Sequence, residues 1–381
     1  MLVRFLHTAD WHLGMPARFL AEEAASRFAA ARLDAVRAVG RLARERACAF
    51  ILVCGDVFDS NLVGRRTVNQ ATTALAEAPV PVYLLPGNHD PADPLSVYGR
   101  DEFRRSLPER VRVLDAPGLV EALPGVELVA APWPSKRPTE DLAAAACRPL
   151  APRPAGVVRI LAAHGAVDAL APQDALEPSL IRLQGLEGVL GDGLVDFVAL
   201  GDRHSATSLG RTGRVWYPGA PEVTAFTEEG AGRALVVELD AGGCRVDAVE
   251  VGRWRFLRRR QDVSGADGVD ALAEWFSELP DKTETALRLE LAGTVSMAEH
   301  ARLTLVLERF GDVLAGLDLV DEGRQVAVLP SQEDFADLRL GGFAAAAIRE
   351  LRQQAAGEGE AARVAREALQ LAFRLSREGA P

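Results

Sequence analysis

What the sequence lacks narrows it first. No run approaches the ~18 consecutive apolar residues that a membrane-spanning helix needs, and the N-terminal MLVRFLHTADWH turns polar too early for a signal peptide. A soluble, cytoplasmic protein is the expectation, with no membrane among its partners. Cysteine is scarce: Cys48, Cys54, Cys147 and Cys244 show no CxxC spacing, so neither a disulfide framework nor a thiolate zinc ribbon is indicated. Basic charge is not in excess either. A net charge of -11 argues against non-specific coating of nucleic acid, which needs a broad basic surface to release counterions. It leaves room for an enzyme with a local basic track, since carboxylates that hold metal ions enter the formal sum as uncompensated charge.

What is present is ample apolar material, 48% of 381 residues, enough for two or three domains at the usual domain size. The first two-thirds alternate β-rich runs with helical stretches, as in a layered α/β fold. Strands are predicted at 3–8, 50–54, 80–85, 126–131, 157–163 and 195–200. A helix is predicted over 22–47, with Phe28, Leu33, Val36, Val39 and Leu42 near one face. Residues 148–156, RPLAPRPAG, hold three prolines and a glycine and read as a surface loop.

The texture changes near Glu250. Alternation of Arg253, Trp254, Arg255 and Phe256 predicts a strand with one basic and one apolar face. A helix (266–279), a strand (284–292), a helix opened by the capping box Ser296-Met-Ala-Glu299 and a strand (316–321) follow. Two helices are expected in the tail, over 341–355 and 360–377, the second with a stripe of Val364, Ala368, Leu371 and Leu375. The expected division is 1–245, 250–330 as a smaller α/β cap, and 331–381 as a C-terminal helical segment.

Chemistry concentrates immediately after the predicted strands, where open α/β sheets present ligand-binding ends. Asp10-Trp-His12, Gly55-Asp56, Gly87-Asn88-His89-Asp90, His164-Gly165 and Gly201-Asp202-Arg203-His204 each follow one, and they take in His12, His89, His164 and His204 of the six histidines. Any one motif alone is weak, because a strand-end Asp or His is more often a turn former. Five in order point to a metal centre. Asp, Asn and neutral His suit borderline-to-hard divalent ions, with Mn2+ favoured and Mg2+ an alternative. Two ions ~3.5–4 Å apart can activate water and stabilise both the attacking and the leaving oxygen of a phosphate displacement. Asp56 is the natural bridge between them.

The ordered set DxH, GDxxD, GNHD, HG and GDxH resembles the calcineurin-like metallophosphoesterase superfamily, and HTADWHLG, GDVFDS and LPGNHD are similar to the SbcD family of DNA-repair exonucleases. The resemblance is strong over about residues 1–240 and holds only in layout beyond. It implies a β-sandwich flanked by helices, a capping domain and C-terminal helices. It implies one ion held by Asp10, His12, Asp56 and His204, and a second by Asp56, Asn88 and His164. His89 would approach the scissile phosphate or protonate the leaving oxygen, with Asp90 orienting its ring. The family's usual last motif is Gly-His-x-His, so Asp202 stands where a histidine is usual; it is expected as a ligand, directly or through water. The implied activity is Mn-dependent exonucleolytic and endonucleolytic hydrolysis of DNA in repair and recombination. The implied partners are DNA, an SbcC-type ATPase docked on the tail, and a second copy of the chain through the first domain. Other phosphoesters, such as cyclic nucleotides, nucleotide sugars or phosphoproteins, are the competing substrate class, and loss of catalysis through Asp202 is a third reading.

Several residues carry two readings. Asp59 either touches substrate or the groups behind the metal ligands, or caps a turn. Arg253 and Arg255, with Arg258, Arg259 and Arg260, either contact a DNA backbone or form a solvated, ion-paired face. The helical stripe either docks a partner or packs inside the chain. His7 is expected to pack or hydrogen-bond, and His300 to be exposed.

Overall fold

The computed structural model describes residues 2–172, 177–240, 243–320, 325–328, 342–355, 357 and 359–378; the side chains of 325, 366, 370 and 373–378 lie outside that description. The chain divides into two compact units, Met1–Arg18 with Ala25–Trp254, and Phe19–Ala24 with Arg255–Pro381. The tail helices group with the second unit rather than forming a third.

The first unit is a sandwich of two mixed six-stranded sheets, the layered α/β class expected from the sequence. β1 (Val3–Thr8), α1 (Glu22–Glu45), β2 (Ile51–Cys54), α2 (Arg65–Ala76), β3 (Val82–Leu85), α3 (Asp101–Ser106) and β4 (Val111–Val113) build the first sheet and its helical cover. β5 (Gly118–Leu123), β6 (Val126–Ala131), α4 (Leu142–Cys147), β7 (Val158–His164), α5 (Leu183–Gly191), β8 (Phe197–Gly201), β9 (Thr207–Leu209) and β10 (Val215–Tyr217) build the second. The chain then returns through β11 (Arg233–Asp240), antiparallel to β1, and β12 (Gly243–Glu250). The first sheet has the order β12-β11-β1-β2-β3-β4 and the second β5-β6-β7-β8-β10-β9.

Alternation along the strands explains the layers. Phe5, Phe50, Leu52, Phe197 and Ala199 point between the sheets, while Leu6, Ile51 and Val53 face α1 and α2, and Val198 and Leu200 face α4 and α5. Phe5 stacks on Phe50 at 5.1 Å and meets Phe197 edge-on at 5.7 Å, joining the sheets across the core. Within the first sheet β1, β2 and β3 are parallel neighbours, and within the second β7 and β8 are. Their carboxyl ends therefore open at the same edge of the sandwich. Among the described residues no helix is long and apolar enough to cross a membrane. The four cysteines are free.

The second unit is built on parallel pairings. β13 (Arg255–Asp262), α6 (Gly265–Glu278), β14 (Thr285–Val295), α7 (Met297–Gly311), β15 (Gly316–Leu319) and β16 (Gln325–Val328) place β14 beside the other three strands. Phe276 of α6 stacks on Phe310 of α7 at 4.6 Å over Leu287, Leu289 and Leu291. The capping box of Ser296 and Glu299 is formed at the start of α7, and His300 on that helix is half-buried rather than exposed. Helices α8 (Gly342–Ala355) and α9 (Glu360–Glu378) pair with each other.

Two expectations are corrected here, and one left open between two readings is described. The first unit runs on to Trp254, whose ring is buried 4.9 Å from Phe28, so Arg253 and Arg255 fall in different units. β13 has no single basic face: Arg258 and Arg260 are exposed, Arg259 lies 4.2 Å from the Trp275 ring, and Arg260 is 3.7 Å from Glu290. Period-two geometry sends consecutive arginines to opposite faces. In α9 the buried side is Ala362, Ala365 and Leu369, while Val364 (52%) and Leu371 (49%) are exposed. Close helix pairing favours the small alanines, which leaves Val364 and Leu371 outside; Ala368 is half-buried, and Leu375 lies outside the described side chains.

Candidate metal centre

The five polar motifs meet at the shared edge of the sandwich. Asp10 and His12 follow β1, Asp56 and Asp59 follow β2, Asn88, His89 and Asp90 follow β3, His164 ends β7, and Asp202 and His204 follow β8. Three clusters of ligand atoms result, each with its atoms within 4.8 Å of one another: Asp10 with His12 and His204, His12 with Asp56 and His89, and Asp10 with Asp56 and His164. Asp202 joins through its carboxylate, 3.8 Å from His164 Nε2, and through its backbone N–H, which donates to Asp10 at 3.0 Å.

Backbone conformation shows what this convergence requires. Asp10, His12, Asp56 and Asp202 all have positive φ (57°, 44°, 54° and 107°), a region that non-glycine residues rarely adopt and that concentrates at functional sites. The motif glycines make the space. Gly55 has φ 90°, and a Cβ there would lie 2.0 Å from His164 Nδ1. A Cβ on Gly201 would lie 1.7 Å from the Cys54 carbonyl oxygen, so these two sheet edges approach only because position 201 has no side chain.

Hydrogen bonding fixes which ring nitrogens face inward. His164 Nδ1 is 2.8 Å from the Cys54 carbonyl oxygen; a carbonyl only accepts, so Nδ1–H donates. His164 Nε2 is left facing Asn88 Oδ1 at 2.7 Å, Asp56 Oδ2 at 3.5 Å and Asp202 Oδ1 at 3.8 Å. His204 Nδ1 is 2.9 Å from the Glu228 carboxylate and 2.6 Å from Thr224 Oγ1, and its Nε2 meets His12 Nε2 at 3.1 Å. His12 Nδ1 is buried with no hydrogen-bond partner, 3.4 Å from Asp59 Oδ1.

Imidazole lone pairs aimed at each other and at carboxylate oxygens repel unless a proton or a cation lies between them. The protonation energetics express the same need. Burial pushes the Asp10 carboxyl up to about 7 against the pull of His164 and His204. Burial also opposes ionisation of Asp56, yet His164, with His12 and His89, outweighs it and holds that carboxyl well below the usual range. Burial draws His164 down, but Asp56, Asp10 and Asp202 raise it to about 10. A divalent cation supplies the charge these groups otherwise seek from protons, so the His/Asp donor set fits a dimetal centre.

His89 stands apart. Its backbone N–H donates to Asp56 Oδ1 at 2.9 Å, its ring Nδ1 donates to the Asp59 carbonyl oxygen at 2.9 Å, and its side chain is 43% exposed. The ring packs edge-on against His12 at 4.7 Å. Asp90 does not orient this ring. Its buried carboxylate accepts from Phe58 N at 3.0 Å, Gly87 N at 2.8 Å and Tyr98 OH at 2.5 Å, which anchors the GNHD turn from beneath. Asp59 lies behind two of the histidines, its carbonyl oxygen accepting from His89 Nδ1 and its Oδ1 3.4 Å from His12 Nδ1, in keeping with the reading in which it touches the groups around the ligands. His7 is buried and bonded through Nε2 to Leu200 O at 3.0 Å, a packing role; burial lowers its pKa to about 3 and keeps it neutral.

Several residues had no motif to mark them. Glu228 and Thr224 sit in the connection before β11. Arg32 of α1 is 3% exposed, donates to Trp11 O at 3.0 Å and Val223 O at 3.2 Å, and faces Glu222, Glu228 and Asp59. Its spacing of four from Phe28 and Val36 placed a charge on the apolar face of the helix, the one signal available in the sequence. Trp133 Nε1–H donates to His164 O at 2.6 Å and Tyr217 OH to Gly165 O at 2.7 Å, holding the turn after β7.

A family model described as calcineurin-like phosphoesterase matches residues 3–204. Similar solved structures include TT1561 of Thermus thermophilus (12% identity, 66% of this chain, 100% of that chain, TM-score 0.39). GAP50, the anchor in the inner membrane complex of Plasmodium, is 11% identical over 66% of this chain and 85% of that one, with a TM-score of 0.41. A dimetal phosphatase from Danio rerio is 11% identical over 66% and 99%, with a TM-score of 0.35. No curated protein matches the chain.

Proposed function

Because the chain belongs to the calcineurin-like phosphoesterase family, we propose that it is a metal-dependent phosphodiesterase whose substrate is DNA, cut at ends and within strands. Asp10, His12 and His204 would hold one ion, Asn88 and His164 the other, with Asp56 shared and Asp202 beside the second. When bound, a pair of divalent ions activates water and offsets the charge that develops on the phosphate oxygens. The residues of the chain do the rest. His89 Nδ1–H is committed to the Asp59 carbonyl, so Nε2 is the atom free to approach the phosphate or pass a proton to the leaving oxygen. Asp90 and Tyr98 keep the turn that carries it rigid.

The observation that carries the reading is the contrast between the buried Asp10, His12, Asp56 and His164 and a half-exposed His89 on the same edge, which suits a phosphodiester presented by a long chain. The wording of the DxH, GDVFDS and GNHD segments supports DNA as that chain. Exposed Val364 and Leu371 on α9 would suit an ATPase partner of the SbcC type, to be sought by co-purification. The substrate test is incubation with Mn2+ and, separately, labelled duplex, single-stranded DNA, bis-p-nitrophenyl phosphate and a cyclic nucleotide, beside a His89→Ala control. DNA cleavage that the control abolishes is the expected result. Turnover of small esters alone would overturn the DNA reading.

A further inference from the structure

We infer that Glu228 is a positioning residue that fixes the ring orientation and tautomer of His204, turning His204 Nε2 into the metal centre. The geometry is direct. His204 Nδ1 is 2.9 Å from Glu228 Oε1, and Glu228 Oε2 accepts from Thr224 N at 2.9 Å, while Thr224 Oγ1 donates to Glu228 Oε1. The carboxylate is thus clamped at both oxygens and is only 7% exposed. An ionised carboxylate only accepts, so the hydrogen it shares with His204 belongs to Nδ1 and the lone pair to Nε2.

Charge placement favours the same arrangement. Buried Arg32 faces Glu228 and keeps it from being an isolated buried anion. Among the centre's histidines the anchors differ in kind. His164 and His89 donate Nδ1–H to backbone carbonyls, whereas His204 Nδ1–H faces the Glu228 carboxylate together with Thr224 Oγ1, which itself donates to that carboxylate. A carboxylate behind a ligating imidazole fixes its direction and raises its basicity, and losing such a partner typically weakens metal binding ~10–100-fold. Nothing near position 228 in the sequence marks this role, because the residue is 24 positions from its partner and in a loop.

This inference rests on His204 as a metal ligand and not on DNA as the substrate. Its first test needs no variant: long-range 1H–15N correlation spectra of histidine-labelled wild type, metal-free and Mg2+-loaded, should report the Nδ1–H tautomer for His204, and an Nε2–H tautomer would overturn it. Calorimetric Mn2+ titration then separates the possibilities. Glu228→Ala should weaken one of two ions by ~10–100-fold and leave the other nearly unchanged, and Glu228→Gln, whose amide oxygen still accepts from Nδ1–H but whose NH2 then faces the Thr224 N–H, should recover part of that loss. Two ions bound with unaltered affinity by folded Glu228→Ala would sink this inference alone, as would a folded Glu228→Gln that binds no better than Glu228→Ala. Failure of the wild type to bind any ion would sink the metal-centre reading and this inference with it.

Discussion

Four residues of the site hold a backbone conformation that costs energy, and each supplies a side chain that converges on the same few ångströms. The strain at Asp10, His12, Asp56 and Asp202 is sustained because the strands beneath are buried and the motif glycines leave room. Gly55→Ala tests this at one atom. A methyl at φ 90° would press on His164 Nδ1, so unfolding in urea should show a loss of about 1–3 kcal/mol, together with weaker binding of the ion His164 holds. His89 is the opposite case, exposed and outside the buried set. His89→Ala should lower turnover of bis-p-nitrophenyl phosphate by ~10²–10⁴-fold while calorimetry still counts the wild-type number of ions. A parallel loss of metal would make His89 a ligand instead.

Secondary-structure elements set the precision of that arrangement. The loops after β2 and β3 are joined by Asn61, whose Nδ2 donates to Pro91 O at 3.0 Å and whose Oδ1 accepts from Val97 N at 2.9 Å. Arg100 adds bonds to Val63 O and Asn61 O. Asn61→Ala leaves buried groups unpaired, so chemical denaturation should show a loss of about 1–3 kcal/mol. Turnover should fall with it, through the loop that carries His89, and affinity for the ion assigned to Asn88 in the same loop should fall more than affinity for the other. Elements were also the level at which the sequence was most readable. Strands with buried β-branched and aromatic residues, each followed by a polar motif that glycine leads at Gly55, Gly87 and Gly201, announced both themselves and the metal centre. The three-residue strands β9 and β10 and the four-residue β16 were too short to show a period. The role of Asp90 came from the family resemblance, whereas the turn sends neighbouring side chains apart, Asp90 inward to Phe58 and Tyr98. Glu228 was invisible for a related reason: its significance arises only when a loop closes on a residue far away in sequence.

For the molecule as a whole, the metal centre bears on stability as well as chemistry. Three carboxylates, Asp10, Asp56 and Asp202, share one edge of the sandwich, and a ligand that binds only the folded chain stabilises it by about 2.7 kcal/mol at a hundredfold excess over its dissociation constant. Chelation by EDTA should therefore lower the urea midpoint and added Mn2+ restore it, with the shift greatly reduced in Asp56→Asn. The second unit was legible in its order of elements but not in its faces. The alternation from Arg253 to Phe256 suggested one basic face, but the pleat divides the consecutive arginines of β13, and Val364 and Leu371 of the α9 stripe lie on its outer side. Asp202, the departure from the family pattern, bears most directly on the central claim of a dimetal centre. Mn2+ titration of the metal-free chain, followed by calorimetry and by elemental analysis after desalting, measures that claim. Two ions per chain is the predicted result; saturation at one would contradict it.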